Sequence, residues 1–236
     1  MSNQQIKLAV FDIAGTTVKD KGDVADAFMH AFNKFNYSIP ESEVHTLMGY
    51  KKPEAIKMML EKYYPGAISS TRNLVAKIHD VFISEMISFY ESDHSLEPMN
   101  DAEYVFSQVQ AMDIKVALNT GFGSVITDVI LKRLGWNRTE LINFVISSDE
   151  VKYGRPHPFM IQAAMKALNI AEAAQVAKIG DTEVDIAEGR NAGCGLVVAV
   201  TTGAYTKELL LQHKPDAIIS RLQDLLPMLK NAAIAR

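Results

Sequence analysis

Apolar and polar positions divide the chain into two parts with different periodicity. The run Leu8-Ala9-Val10-Phe11 is continuously apolar and too short for a helix, so it predicts a buried strand. A polar linker over 19–23 follows. Apolar residues then recur at helical spacing over 24–35, 53–63 and 71–89, with a shorter helix opening at Pro40. The chain therefore begins with one strand and continues with an all-helical segment.

Beyond Pro98, helix and strand patterns alternate. The predicted strands are 115–119, 144–147, 176–179, 196–201 and 217–219, and the predicted helices are 102–111, 125–134, 158–168, 184–191, 207–212 and 222–229. This alternation predicts a parallel sheet with helices on both faces, which the first strand must join because it is not stable alone. The predicted fold class is α/β, with the helical segment inserted as a second, smaller domain over the carboxyl ends of the strands.

Composition and charge are those of a soluble globular protein. Of 236 residues, 48% are apolar and 22% are charged, and the net charge of -4 argues against general binding to nucleic acid or to membranes. No apolar stretch is long enough to cross a bilayer, and residues 1–5 lack the features of a signal peptide. The single cysteine, Cys194, cannot form an internal disulfide and is expected to be a packing residue. We expect a cytoplasmic protein.

Side chains that can bind metal and phosphate follow several predicted strands. Asp12 ends the first strand, Thr120 follows the second, Arg155 follows the third, and Asp181 and Asp185 follow the fourth. Because the carboxyl ends of parallel strands meet at one crevice, we expect these side chains to converge. Each has an ordinary alternative, since an isolated aspartate often caps a helix and a lone arginine is usually a solvated surface charge. Together they indicate a Mg²⁺ site with groups that hold phosphoryl oxygens.

The segments that carry this chemistry resemble the four motifs of the haloacid dehalogenase superfamily, over essentially the whole chain. They are Phe11-Asp12-x-Ala14-Gly15-Thr16, Thr120-Gly121, Arg155-Pro156 and Gly180-Asp181-Thr182-x-x-Asp185. The resemblance implies a Rossmann-like core over 1–18 and 95–236 and a helical cap over 19–94. It also implies a Mg²⁺-dependent reaction in which Asp12 attacks phosphorus and becomes an aspartyl-phosphate.

The resemblance also implies roles for the other site residues. Metal ligands would be Asp12, the backbone carbonyl of Ala14 and Asp181, with Asp185 behind them, whereas Thr120 and Arg155 would hold phosphoryl oxygens and Thr16 and Gly121 would contact the substrate. Two alternatives stay open. Thr16 could merely stabilise its turn, and Asp185 could merely cap its helix.

One position departs from the superfamily pattern. Phosphatases and mutases carry a second aspartate two residues after the nucleophile, which protonates the leaving alkoxide, whereas this chain has Ala14. Loss of a positioned acid typically lowers the rate by about 10²- to 10⁴-fold. The motif Asp-x-Ala-Gly-Thr is similar to that of the phosphonoacetaldehyde hydrolase branch, which breaks a P–C bond through a Schiff base on a cap lysine.

A lysine is present where that branch would place it. The segment Leu-Met-Gly-Tyr-Lys-Lys-Pro over 47–53 is similar to the branch's Met-Gly-x-x-Lys segment, which puts Lys52 on the Schiff-base position with Gly49 and Lys51 beside the substrate. Burial and a neighbouring cation lower a lysine's pKa and make its amine nucleophilic. Alternatively, the two lysines could grip a phosphate or form a solvated pair. The branch also has a histidine three residues later, where this chain has Ala55.

Three functional hypotheses follow. The first is a phosphonatase-like hydrolase that uses Mg²⁺ to cleave phosphonoacetaldehyde or a related small phosphonate. The second is a phosphatase or phosphomutase, like phosphoglycolate phosphatase or beta-phosphoglucomutase, acting on a small phosphorylated metabolite. The third is a catalytically silent protein that senses such a ligand. A homodimer formed through the cap is a further expectation from the resemblance.

Overall fold

Six parallel strands form one sheet at the centre of the molecule. The computed structural model describes residues 5–92 and 96–234, of which 231–234 by backbone alone. The strands are β1 (Leu8–Asp12), β2 (Lys115–Thr120), β3 (Phe144–Ser147), β4 (Val176–Gly180), β5 (Leu196–Val200) and β6 (Ala217–Ile219). Their order is β3-β2-β1-β4-β5-β6, and every neighbouring pair is parallel. The predicted sheet is confirmed, with the first strand inside it.

The described part of the predicted insertion, residues 19–92, is helical, as predicted. Its helices are α1 (Asp23–Asn33), α2 (Glu41–Thr46), α3 (Lys52–Tyr63), α4 (Ala67–Ser70) and α5 (Leu74–Ser92). The sequence pattern predicts four of these and does not contain α4, which is a single turn. The last one begins at Leu74 rather than at 71, because Thr71 has extended backbone and Asn73 lies in the left-handed region with φ of 57°.

The remaining helices cover both faces of the sheet. They are α6 (Ala102–Ala111), α7 (Ser124–Leu134), α8 (Phe159–Ala167), α9 (Glu183–Ala192), α10 (Lys207–Gln212) and α11 (Leu226–Ile234). Phe11 of β1 packs edge-on against Phe106 of α6, with 5.4 Å between ring centroids, whereas Val10 belongs to a second core with Ile161 of α8. Burial on both sides explains why β1 is continuously apolar. No helix in the described ranges is both long and apolar enough to span a bilayer.

Two linkers join the helical segment to the sheet, and they lie side by side. The N–H of Lys19 donates to the carbonyl of Glu97 at 3.0 Å, and the N–H of Met99 donates to that of Thr17 at 2.8 Å. We call residues 17–19 and 97–99 the linker pair. The predicted domain limit between 18 and 19 falls within it. The predicted limit between 94 and 95 lies outside the described residues, so this division of the chain stays a prediction.

Candidate active site

Three aspartates meet at the carboxyl ends of the central strands. Asp12 is the last residue of β1, Asp181 directly follows β4, and Asp185 lies in the first turn of α9. All three are buried, and one carboxylate oxygen from each lies within 4.8 Å of the others. The convergence expected from the strand ends is therefore present, and this set of oxygen ligands could hold a metal ion.

The electrostatics of the cluster fit a cation. Burial and the negative charges of Asp12 and Asp185 raise the pKa of Asp181 well above its ordinary value. Burial also raises the pKa of Asp12 to about 6, although the nearby Arg155 opposes this. Asp181 accepts hydrogen bonds from the hydroxyl of Thr16 at 2.9 Å and from a backbone N–H at 2.8 Å. Hard oxygen donors crowded in a buried site suit a divalent cation, which would offset their repulsion.

Asp185 caps its own helix and also contacts two cations. Its Oδ2 accepts from the N–H and the hydroxyl of Thr182, which forms a capping box at the start of α9. Its Oδ1 lies 3.0 Å from Nη1 of Arg155 and 2.9 Å from Nζ of Lys178. Burial would raise the pKa of Asp185, but these two cations hold it below its ordinary value. Asp185 therefore does cap its helix, as the alternative supposed. This does not exclude that it also orients a metal ion that the other aspartates bind.

Arg155 is wholly buried beneath the aspartates. Its Nη1 lies 2.6 Å from Oδ1 of Asp12, and its Nε lies 3.2 Å from Oε2 of Glu188. Its Nη2 donates to both the backbone carbonyl and the side-chain oxygen of Asn119, at 2.7 Å each. The Nε and Nη1 contacts are ion pairs without hydrogen-bond alignment. Burial alone would lower the pKa of Arg155, but Asp185, Asp12 and Glu188 raise it, so the guanidinium stays charged next to the carboxylate of Asp12.

Lys178 and Glu188 complete this buried network, although sequence reasoning assigned neither a role. Nζ of Lys178 contacts Oδ1 of Asn119 at 2.7 Å and Oε2 of Glu188 at 3.4 Å. The amide of Asn119 donates to both oxygens of Glu188. A signal for each was present. Lys178 interrupts the apolar strand pattern over 176–179, and Glu188 follows Asp185 by three residues, which puts both acids on one face of α9.

The variant Lys178→Met should lower the free energy of unfolding by about 3–5 kcal/mol. Methionine roughly preserves the volume but leaves Asp185 and Glu188 with one buried cation instead of two. Urea denaturation measures the change. The matched control is Lys166→Met, at an exposed position on α8, which should change stability by less than about 0.5 kcal/mol. A loss for Lys178→Met no larger than that of the control would contradict the importance of this pair.

Lys52 reaches the cavity that contains Asp12. This cavity is lined by Asp12, Ala14, Asp20, Val24, Met48, Gly49, Lys52, Thr120, Gly121, Phe122, Asp181, Thr182 and Ala204. Lys52 is 3% exposed, and its Nζ lies 3.4 Å from the carbonyl oxygen of Tyr50. The same Nζ lies 6.0 Å from the ring centre of Phe82 and 5.4 Å from that of Phe122. Burial among these rings lowers the pKa of Lys52 to about 8. The alternative of a solvated lysine is therefore wrong for this residue.

Lys51 takes a different direction from its neighbour. Its Nζ donates to the carbonyl of Val151 at 3.2 Å, and it lines a second cavity that shares Lys52 with the first. That second cavity also contains His79 of α5, which sequence reasoning did not single out. Lys52 therefore stands between two cavities, one with the aspartates and one with a histidine.

Gly49 and Gly121 allow the helical segment to approach the sheet closely. A Cβ added at Gly121 would lie 2.5 Å from the carbonyl oxygen of Gly49 and 2.6 Å from that of Tyr50. Only glycine fits at this contact. Thr120, which precedes it, lines the cavity and accepts a hydrogen bond from the N–H of Phe122 at 3.1 Å.

The positions that lack an expected polar group differ in their surroundings. Ala14 lines the cavity that contains Asp12, so an acid at position 14 would have access to a substrate bound there. Ala55 is fully buried in the apolar core of the helical segment.

Asp20 lines the cavity as well, although the sequence pattern placed it only in a polar linker. Cys194 is buried, and burial raises the pKa of its thiol to about 12, which fits its expected packing role.

The chain is similar to known hydrolases along most of its length. The model of the haloacid dehalogenase-like hydrolase family matches residues 9–199. A phosphonoacetaldehyde hydrolase of Bacillus mycoides (strain KBAB4) is 30% identical over 233 residues, which cover 93% of this chain and 86% of that protein.

Two solved structures share the fold. A phosphonoacetaldehyde hydrolase-like protein from Oleispira antarctica has a TM-score of 0.84 at 21% identity, and the match covers 99% of this chain and 96% of that chain. A predicted phosphoglycolate phosphatase from Haemophilus somnus 129pt has a TM-score of 0.78 at 20% identity, covering 95% of this chain and 98% of that one. The likeness therefore extends over the sheet and the helical insertion together.

Proposed function

We propose, from the premise that this chain belongs to the haloacid dehalogenase-like hydrolase family, that it is a phosphonatase-like hydrolase. Its substrate would be phosphonoacetaldehyde or a related small phosphonate that carries a carbonyl group. The observation that carries this proposal is the amine of Lys52, which is buried, has a pKa lowered to about 8 and lies in the same cavity as Asp12. The relative from Bacillus mycoides supports the same substrate class.

Asp12 and Lys52 would divide the reaction between them. The amine of Lys52 condenses with the aldehyde and releases water, which leaves an iminium group next to the carbon bound to phosphorus. A carboxylate oxygen of Asp12 then attacks phosphorus, and the electrons of the P–C bond move into the imine to form an enamine. Protonation at carbon and hydrolysis of the imine return the amine, while water releases phosphate from Asp12. Such a leaving group needs no acid at position 14, where the chain has Ala14.

The remaining site residues would hold metal and phosphate. The oxygens of Asp12, Asp181 and the Ala14 backbone, with Asp185 behind them, are the proposed Mg²⁺ ligands. When bound, Mg²⁺ would neutralise charge on the phosphoryl group. The proposed substrate contacts that line the cavity of Asp12 are Gly49, Thr120 and Gly121, and Lys51 lines the second cavity. Thr16 and Arg155 are fully buried and line neither, so in this structure Thr16 would act through its hydrogen bond to Asp181 and Arg155 through its ion pair with Asp12.

Phosphorus NMR tests the proposed substrate. Protein incubated with phosphonoacetaldehyde and Mg²⁺ should release inorganic phosphate, while an Asp12→Ala control should release none above background. Equal signals from the two proteins would reject this substrate. A homodimer and a cytoplasmic location stay predictions from the sequence.

A phosphatase or phosphomutase is the second candidate function. It is favoured by one observation: with a pKa of about 8, Lys52 is still largely protonated at neutral pH, so it can grip a phosphate as a cation. Membership of a hydrolase family goes against the third hypothesis, a silent sensor.

The variant Ala14→Asp separates the two candidates. On the phosphonatase proposal it should raise kcat for small phosphate esters by about 10²-fold or more, because it restores an acid where the leaving oxygen would lie. Phosphate release from a panel of esters measures the effect, and Ala14→Asn is the matched control without a proton to give. Rapid ester hydrolysis by the unchanged protein, with no further gain in Ala14→Asp, would favour the phosphatase instead.

A further inference from the structure

Asp20 is a carboxylate in the active cavity to which the proposed reaction gives no task. It lines the same cavity as Asp12, Ala14 and Lys52. Its Oδ1 accepts a hydrogen bond from the N–H of Gly22 at 3.0 Å, whereas its Oδ2 has no hydrogen-bond or ion-pair partner within residues 5–92 and 96–230. Asp20 therefore keeps one unpaired oxygen in a half-buried side chain beside the reacting groups.

The backbone fixes Asp20 at this place. It is the first residue after the linker pair, whose two hydrogen bonds at 2.8 and 3.0 Å hold segments 17–19 and 97–99 together. Two residues later, Gly22 has a φ of 100°, in the left-handed region, and the chain then enters α1. The main chain of Asp20 is thus held between the linker pair and the start of α1, beside the cavity that its side chain lines.

The charge of Asp20 acts on the amine of Lys52. Burial, the largest effect, and Arg155 lower the pKa of Lys52, while the negative charges of Asp12 and Asp20 raise it. Within the part of the chain that the structure describes, Nζ of Lys52 otherwise meets one backbone carbonyl and two aromatic rings, none of which can exchange a proton with it. Because Asp12 is needed at phosphorus, Asp20 is the remaining carboxylate that interacts with this amine.

We propose that Asp20 is the proton-transferring catalytic residue for imine formation at Lys52, an assignment that rests on the proposed function. When the neutral amine adds to the aldehyde carbon, the nitrogen carries one proton too many and the oxygen carries the negative charge. Asp20 accepts that proton from nitrogen and gives it to the oxygen, forming the carbinolamine. It then delivers a second proton, taken from solvent, to the hydroxyl, which leaves as water while the nitrogen lone pair forms the C=N bond. The same transfers run in reverse when the product imine is hydrolysed.

The test is the rate of borohydride trapping with phosphonoacetaldehyde, measured by rapid quench and intact-protein mass. Asp20→Asn and Asp20→Ala should both trap about 10²-fold more slowly than the unchanged protein. Formate added to Asp20→Ala should restore part of the rate in proportion to its concentration, which a purely structural loss would not show. The control Asp26→Asn, at an exposed position on α1, should trap at the normal rate. Thermal melting of each variant checks that it is folded.

The possible outcomes separate a failure of the Asp20 assignment from a failure of the proposed function. An unchanged protein that gives no adduct overturns the proposed function, and the assignment falls with it. An unchanged protein that forms the adduct, with Asp20→Asn trapping equally fast, overturns the assignment alone. Loss of trapping in His79→Gln but not in Asp20→Asn would place proton transfer in the second cavity and would likewise overturn it.

Discussion

The variant Asp12→Asn is expected to lower kcat for phosphate release by about 10⁴-fold or more, because asparagine keeps the shape of the side chain but removes the attacking oxygen anion. No phosphoryl group should remain on the protein after incubation with substrate and Mg²⁺, as intact-protein mass spectrometry would report. The free energy of unfolding of Asp12→Asn should not fall together with its activity. Burial raises the pKa of Asp12 to about 6, so the ionised side chain opposes folding at neutral pH.

The pH dependence of stability gives a second readout for Asp12→Asn. For a carboxyl group whose pKa is higher in the folded protein, stability falls as pH rises from about 4 to about 6. Without metal, Asp12→Asn should therefore melt at pH 7 no lower than the unchanged protein, and it should lose less stability between these pH values. Lost activity together with a clear fall in Tm would instead contradict the expected effect of burial on Asp12 and would attribute the lost activity to a loss of folded protein.

The variant Lys52→Arg is expected to abolish borohydride trapping and to lower kcat for phosphonoacetaldehyde by about 10³-fold or more, since arginine keeps the charge but forms no imine. In the unchanged protein the trapping rate should rise from pH 6 to about 8 and then level off. This follows from the pKa of Lys52, about 8, because the neutral amine is the attacking species and becomes the major form above that pH. Rapid-quench trapping across this pH range measures both effects.

Two further variants test whether the effect of Lys52→Arg is specific to that lysine. Lys57→Arg changes an exposed lysine on the same helix, which lies 3.6 Å from Glu61, and it should trap normally. Lys51→Arg should still form the adduct, although substrate binding can change. Loss of the adduct in Lys51→Arg with retention in Lys52→Arg would show that the reacting amine is Lys51. Normal turnover by Lys52→Arg would leave only a phosphate-binding role for this cation.

The aspartate cluster could be predicted from the sequence because it depends on local signals. Asp12 directly follows the apolar run over 8–11, Asp181 closely follows the predicted strand over 176–179, and in a parallel sheet such ends meet at one edge. Asp185 follows by the spacing of one helical turn. The pattern predicts only that these ends share one edge of the sheet, and the approach of the aspartates to within 4.8 Å also depends on β1 and β4 being neighbours, as they are in the structure.

The ion pairs beneath the cluster could not be predicted in the same way. Arg155 follows β3, Asn119 lies on β2 and Lys178 lies on β4, so their contacts depend on which strands are neighbours. A single sequence does not determine that order. The different directions of the Lys51 and Lys52 side chains could not be predicted either, because they depend on α3 beginning at Lys52 and on which helices pack beside it.

The contact of Gly121 with residues 49–50 has a consequence for turnover. Main chain meets main chain there, so a side chain at position 121 would hold the helical segment away from the sheet. Close by, the rings of Phe82 and Tyr90 on α5 lie against that of Phe122, with 6.4 Å between centroids in each pair, so these contacts must also separate when the site opens. A hydrolase of this type must keep bulk solvent away while phosphorus is transferred and must then admit the water that frees the product. Backbone contact at Gly121 suits the first requirement, and the aromatic contacts around it set the cost of the second.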